Sequence, residues 1–155
     1  MKRVSISVIF VGMLLGGGLF GLRLGNPAKA ATPQVAQNEC TLETLKGNYM
    51  YAQDGFNIAG TTAAERTPFA QSGREIFDGM GTMSGVSTAS LNGTIVRSTY
   101  AGSYTVNSDC TGMVTFTDNF GQVFNYDIFI EDGGKEFVFI QTDAGAATAA
   151  YERRR

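Results

Sequence analysis

From Asn48 onward the chain is a succession of short runs rich in Thr, Val, Tyr, Phe and Ile, each cut by a turn-forming cluster. The clusters are Asp78-Gly79-Met80-Gly81, Asn92-Gly93, Asp109-Cys110-Thr111-Gly112, Asp118-Asn119-Phe120-Gly121 and Glu131-Asp132-Gly133-Gly134. Gly supplies positive φ, and Asp and Asn bond to their own backbone, so each cluster reverses a chain that β-branched and aromatic residues hold extended. Turns recurring every nine to eighteen residues mark consecutive antiparallel hairpins. Eight or nine strands are predicted, near 47–53, 67–77, 82–89, 94–100, 102–107, 112–117, 122–130, 135–142 and 147–153. A meander of this length closes most easily into an antiparallel up-and-down barrel, which leaves no exposed edge. A two-sheet sandwich is the alternative. The abundant Gly is assigned to the turns.

One hairpin shows how the side chains point. With its turn centred on Asp132-Gly133, Ile128 faces Phe137, Tyr126 faces Phe139 and Phe124 faces Gln141. Facing residues share a side of the sheet, so Phe124, Tyr126, Ile128, Phe137 and Phe139 form an interior aromatic face, and Asp127 points to solvent. An eight-stranded barrel is just wide enough to be filled by its own side chains or to hold one small ligand.

The N-terminal part reads differently. Lys2 and Arg3, the apolar run 4–24 and the small-x-small triplet Ala28-Lys29-Ala30 form the three parts of a secretory signal peptide over 1–30. The Gly residues and Arg23 within that run argue against a stable membrane span, so none is expected after cleavage. Residues 31–39 form a polar linker, and 40–155 one barrel domain. Thr41–Lys46 reads as a single helical turn, with Leu42 and Leu45 on one side and Gly47 as its stop. All fourteen acids follow residue 30, with only eight of the twelve Lys and Arg, so the body is acidic and is not a nucleic-acid binder.

Cys40 and Cys110 are the two cysteines. In an exported protein, periplasmic or extracellular, an even pair is most simply a disulfide. It would tie the segment before the first strand to a turn at one end of the sheet. A metal pair or a catalytic thiol is the sharper alternative, weakened by the absence of any His.

The blocks LKGNYMYAQDG, FDGMGTMSG, NGTIVRSTYAGSYTVNSDCTG and DGGKEFVFIQTD resemble a family of small secreted bacterial proteins that carry them in this order. Through that family the chain is similar to the allene oxide cyclase-like barrels and, more distantly, to the calycins. After the helical turn, Gly47-Asn48-Tyr49 falls where lipocalins have Gly-x-Trp. The resemblance implies that Arg153 or Arg154 packs over Tyr49. It also implies a calycin-like barrel and export, and no particular reaction.

Several chemistries are excluded by residue type. Without His there is no Ser-His-Asp triad and no histidine base. No phosphate-binding loop occurs, the turn aspartates match no calcium loop, and no metal or cofactor is expected. Arg74 and Glu75 are adjacent in one strand, so in a barrel wall one of them points inward, unless a bulge or the rim leaves both in water. An inward Glu75, on the side of Phe69 and Phe77, is the one candidate acid/base. An inward Arg74 would hold a ligand's carboxylate. Tyr100 and Tyr104 are candidates for the same cavity. The leading expectation is a non-catalytic secreted barrel. It would bind a small apolar ligand through Phe124, Tyr126, Phe137, Phe139 and Arg74, or serve as a structural module of the envelope. A barrel cyclase or isomerase using Glu75 is the alternative.

Overall fold

The computed structural model describes residues 39–59 and 65–155; the expected signal peptide and most of the expected linker lie outside them. Eight antiparallel strands form one closed barrel in chain order. They are β1 (Gly47–Ile58), β2 (Arg66–Phe77), β3 (Thr82–Leu91), β4 (Thr94–Val106), β5 (Thr111–Asp118), β6 (Val123–Ile130), β7 (Glu136–Gln141) and β8 (Ala146–Arg154). β8 closes the barrel against β1, from Tyr49↔Arg154 to Asn57↔Ala146. The sandwich is thereby excluded. The turn at Asn92-Gly93 has positive φ at both residues, 48° and 88°, as a tight two-residue hairpin of primed type requires.

Two details of the expected meander change. The segments 94–100 and 102–107 are one continuous strand, β4, because Gly102 lies within the wall and reverses nothing. The β6–β7 hairpin is shifted by two residues, pairing Ile128 with Phe139 and Ile130 with Phe137, because its loop runs on through a 3₁₀ turn at Asp132–Gly134. An even shift conserves the faces, so Tyr126, Ile128, Phe137 and Phe139 are still buried and Asp127 is still exposed. Asp127→Ala should therefore change stability by no more than about 0.5 kcal/mol in a urea melt.

Glycine is the device that lets so many rings share one interior. Tyr51 pairs with Gly73, Tyr100 with Gly85, Phe116 with Gly102 and Ile128 with Gly112. Each large side chain lies across the glycine opposite it. A Cβ on Gly85 would sit 2.4 Å from the Tyr100 ring, and one on Gly102 would sit 2.0 Å from the Thr115 carbonyl oxygen. These glycines belong to the strands, not to the turns as expected, and set small against large across the wall.

One end of the barrel is shut. The 3₁₀ turn Leu42–Leu45 lies there, with Leu45 wholly buried and the Leu42 carbonyl accepting from the Tyr104 hydroxyl at 3.1 Å. Cys40 and Cys110 form a disulfide with their Cα atoms 4.9 Å apart, tying this segment to the β4–β5 turn. Arg154, of the two candidate arginines, packs over Tyr49, its guanidinium carbon 5.3 Å from the ring centroid. It also donates to the Tyr49 hydroxyl from Nε at 2.9 Å and from Nη2 at 2.7 Å, and to the Thr44 carbonyl. Tyr49 in turn donates to the Gly134 carbonyl at 2.5 Å, so this cluster joins the plug, β1, β8 and the β6–β7 loop.

Candidate functional site: a filled lumen and an open mouth

Inward positions on β1, β2, β7 and β8 bring the interior's chemistry together. Near the shut end Tyr49, Phe77, Tyr104 and Phe137 pack edge to face, with ring centroids 5.0–5.7 Å apart. At mid-height Tyr100, Phe116 and Tyr126 stack in series, 4.5 and 5.6 Å between centroids. Little space remains among them. A cavity of about 10 Å³ lies between Glu75, Glu152 and the side chains of β5–β7. That is roughly room for a single water.

Glu75 does point inward and is 6% exposed, whereas Arg74 is exposed on the outer wall. A regular strand sends adjacent residues to opposite sides, and no bulge intervenes, since β1 and β2 pair without a break from Gly47↔Phe77 to Ile58↔Arg66. Arg74 is therefore not available to a ligand within the lumen. Glu75 does not face the interior alone: Glu152 of β8 is fully buried beside it. Glu75 accepts a hydrogen bond from the Tyr100 hydroxyl at 2.7 Å, while Glu152 has Glu75 as its one polar neighbour. Burial pushes the Glu75 carboxyl up to about 7 against the opposing pull of its hydrogen bonds. Burial, and then the charge of Glu75, raise Glu152 further above the ordinary carboxyl range. Two buried carboxyls without a facing cation are held neutral, or share one charge.

A chain of polar groups runs from this pair toward the other end. The Tyr100 and Tyr51 hydroxyls are 3.1 Å apart, and the Gln71 amide donates to Tyr51 at 2.6 Å. Tyr100 has a single proton, given to Glu75 over the shorter distance, so Tyr51 supplies the one between the two rings. Burial raises the Tyr51 phenol to about 12, so both hydroxyls are protonated donors. A second chain runs along β1, β8 and β7: Gln53 donates to Thr148 at 2.8 Å, Thr148 to Gln141 at 3.3 Å, and Gln141 to Asp143 at 2.9 Å.

Both chains end at an open mouth, a hollow of about 480 Å³ between the β3–β4, β5–β6 and β7–β8 turns. Its apolar wall includes Phe69, Phe120, Phe124 and Tyr126, and its hydrogen-bonding groups include Gln71, Ser98 and Gln141. Its charged residues are Asp118 and Asp143, with neither Lys nor Arg among them. Asp143 is held below the usual carboxylate range by the Asn125 and Gln141 groups that donate to it, against its partial desolvation.

The five residues expected to contact a ligand are thus separated. Phe124, half-buried, and Tyr126 line the mouth, Phe139 lines the small interior cavity, Phe137 is packing near the shut end, and Arg74 is outside. Tyr104 belongs to the plug and Tyr100 to the carboxyl pair. Sequence reasoning missed Glu152 and the mouth glutamines, whose only sequence signal is that they alternate with outward residues on their strands.

The architecture defines a class: an eight-stranded, disulfide-tied antiparallel barrel with a filled lower lumen. No protein-family model, curated protein or solved structure matches the chain. Among the described residues no helix is long and apolar enough to cross a membrane, and no group of three or more Cys, Asp or Glu is placed to hold a metal.

Proposed function

We propose that the protein is an exported barrel that binds a small molecule at its open mouth without transforming it. The observation that carries this reading is the hollow of about 480 Å³ in which four aromatic rings converge with the hydrogen-bonding side chains of Gln71, Ser98 and Gln141. Volume and lining match small-ligand sites in general. The polar lining replaces the purely apolar ligand expected from the sequence with one that has an apolar ring face and a hydrogen-bonding edge. Two aspartates and no base disfavour anions, so the ligand is neutral or cationic. Export is supported by the disulfide, which persists in oxidising compartments.

A cyclase or isomerase using Glu75 is less well supported. The space beside that carboxyl is about 10 Å³, far below the size of any organic substrate. Its link to the mouth ends in the Gln71 amide, a poor proton relay. The filled lower lumen favours a purely structural module as the second reading.

Native mass spectrometry of the protein purified from its own organism separates the two. The expected result is a co-purifying small molecule that is lost in a Phe124→Ala/Gln71→Ala variant of unchanged fold. A bare chain mass, together with mouth amide resonances unmoved by methyl glycosides and cyclic amines, would leave the structural module.

A further inference from the structure

The outer wall of β1–β4 has a character that neither the mouth nor the acidic composition anticipates. Its outward residues form rows across the four strands. Met50, Arg74, Val86 and Thr99 are directly paired in one row. Asn48, Ile76, Ser84 and Ala101 form the row on one side, and Ala52, Ser72, Thr88 and Arg97 the row on the other. Met50, Ile76 and Val86 are each about half exposed. Tall side chains alternate with Ser, Ala and Thr, so hollows open between them, about 540 and 630 Å³, on the two sides of Arg74 and Val86. No carboxylate side chain enters either hollow: Glu75, the acid at the wall of one, turns into the lumen. Neither Arg74 nor Arg97 takes part in an ion pair among the described residues.

We propose that this face is a second binding site, taking a free amphiphilic monocarboxylate of the fatty-acid type. The apolar walls that Met50, Ile76 and Val86 give these hollows accept an unbranched chain. The planar guanidinium of Arg74, which both hollows share, is placed to hold a carboxylate, and Arg97 adds a like charge on the adjoining row. A peptide strand is a poorer occupant, because the closed barrel offers no edge for pairing. A membrane surface is also a poorer occupant, because the three arginines that line the hollows, Arg74, Arg97 and Arg155, are accompanied by no exposed aromatic residue in that lining.

The test is a nitrogen-15 NMR titration of the barrel with octanoate and with octanol, repeated on an Arg74→Glu/Arg97→Glu variant. Both arginines are exposed and the substitutions leave the fold intact. Octanoate should give saturable shifts at the amides of residues 50, 74, 76 and 86, octanol should bind about tenfold more weakly, and the variant should lose about tenfold or more in octanoate affinity. Added salt should weaken octanoate binding and leave octanol unaffected. Equal affinities for octanoate and octanol, shifts confined to the mouth amides, or no shifts would overturn the assignment. So would sedimentation with phosphatidylglycerol vesicles without octanoate binding, or octanoate-independent self-association through this face. Loss of octanoate binding at Arg74 and Arg97 would leave the proposal for the mouth untouched, since neither arginine lines it.

Discussion

The unfolding free energy of the barrel should fall by about 3 kcal/mol or more between about pH 5 and about pH 9, at constant temperature and ionic strength. Glu75 and Glu152 are both harder to ionise folded than unfolded. The stability they permit is therefore complete below the ordinary carboxyl range and is lost as pH rises through about 7, where Glu75 titrates in the barrel. Glu75 alone accounts for about 3 kcal/mol, its shift from 4.5 to about 7 taken at about 1.4 kcal/mol per unit. Glu152 acts in the same direction. The groups bearing on the pair are the Tyr100 hydroxyl and each other, so no neighbouring base offsets the loss. Asp78, Asp109 and Asp143, whose pKa values are depressed, act oppositely, but only at more acid pH, which leaves the window between about 5 and 9 to the buried pair. Glu152→Gln should flatten the curve and stabilise the barrel at the alkaline end, since neutralising an uncompensated buried charge removes a desolvation penalty. Urea melts at five pH values decide it. A flat profile in the parent protein, or a Gln variant less stable than the parent at pH 9, would show that the two carboxyls are not held neutral by burial.

That pair marks the boundary of what the sequence discloses. The number of strands, their order and the shut-end disulfide follow from turn chemistry and from two cysteines in a chain read as exported, because both signals are local. Face assignment is also legible on β6 and β7, where aromatic and polar residues alternate; parity survives even though the register is two residues off. It fails on β8. There the buried side carries Thr148, Ala150 and Glu152, while Tyr151, the largest apolar residue of the strand, is half exposed. The interior is filled by rings from the opposite wall, so β8 contributes small groups, and its own sequence cannot reveal how full the far side is. The strand glycines have the same cause: Gly85 and Gly102 are explained only by Tyr100 and Phe116 on neighbouring strands. The mouth is legible in part, through Phe124 and Tyr126. Its amides become a site only when closure of β8 on β1 brings Gln71 and Gln141 to the same rim.

Removing the disulfide should be the most damaging two-residue change to the outside of the core. Cys40 and Cys110 are 70 residues apart, and closing a loop of that length stabilises a fold by roughly 4 kcal/mol through the entropy taken from the unfolded chain. The bridge also has a local task. The plug before β1 is held by the Cys40 amide on the Ser108 carbonyl at 3.3 Å, by Tyr104 on Leu42 and by Arg154 on Thr44, a short list for a segment that covers Leu45. Without the bridge, that segment should detach before the barrel wall opens. A Cys40→Ser/Cys110→Ser variant should therefore lose roughly 4 kcal/mol in a urea melt, and hydrogen exchange should quicken first at the plug amides of residues 40, 44 and 46, ahead of those in β5 and β6. A loss under about 1 kcal/mol with unchanged plug protection would mean that packing of Leu45 and the Arg154–Tyr49 cluster hold the shut end by themselves.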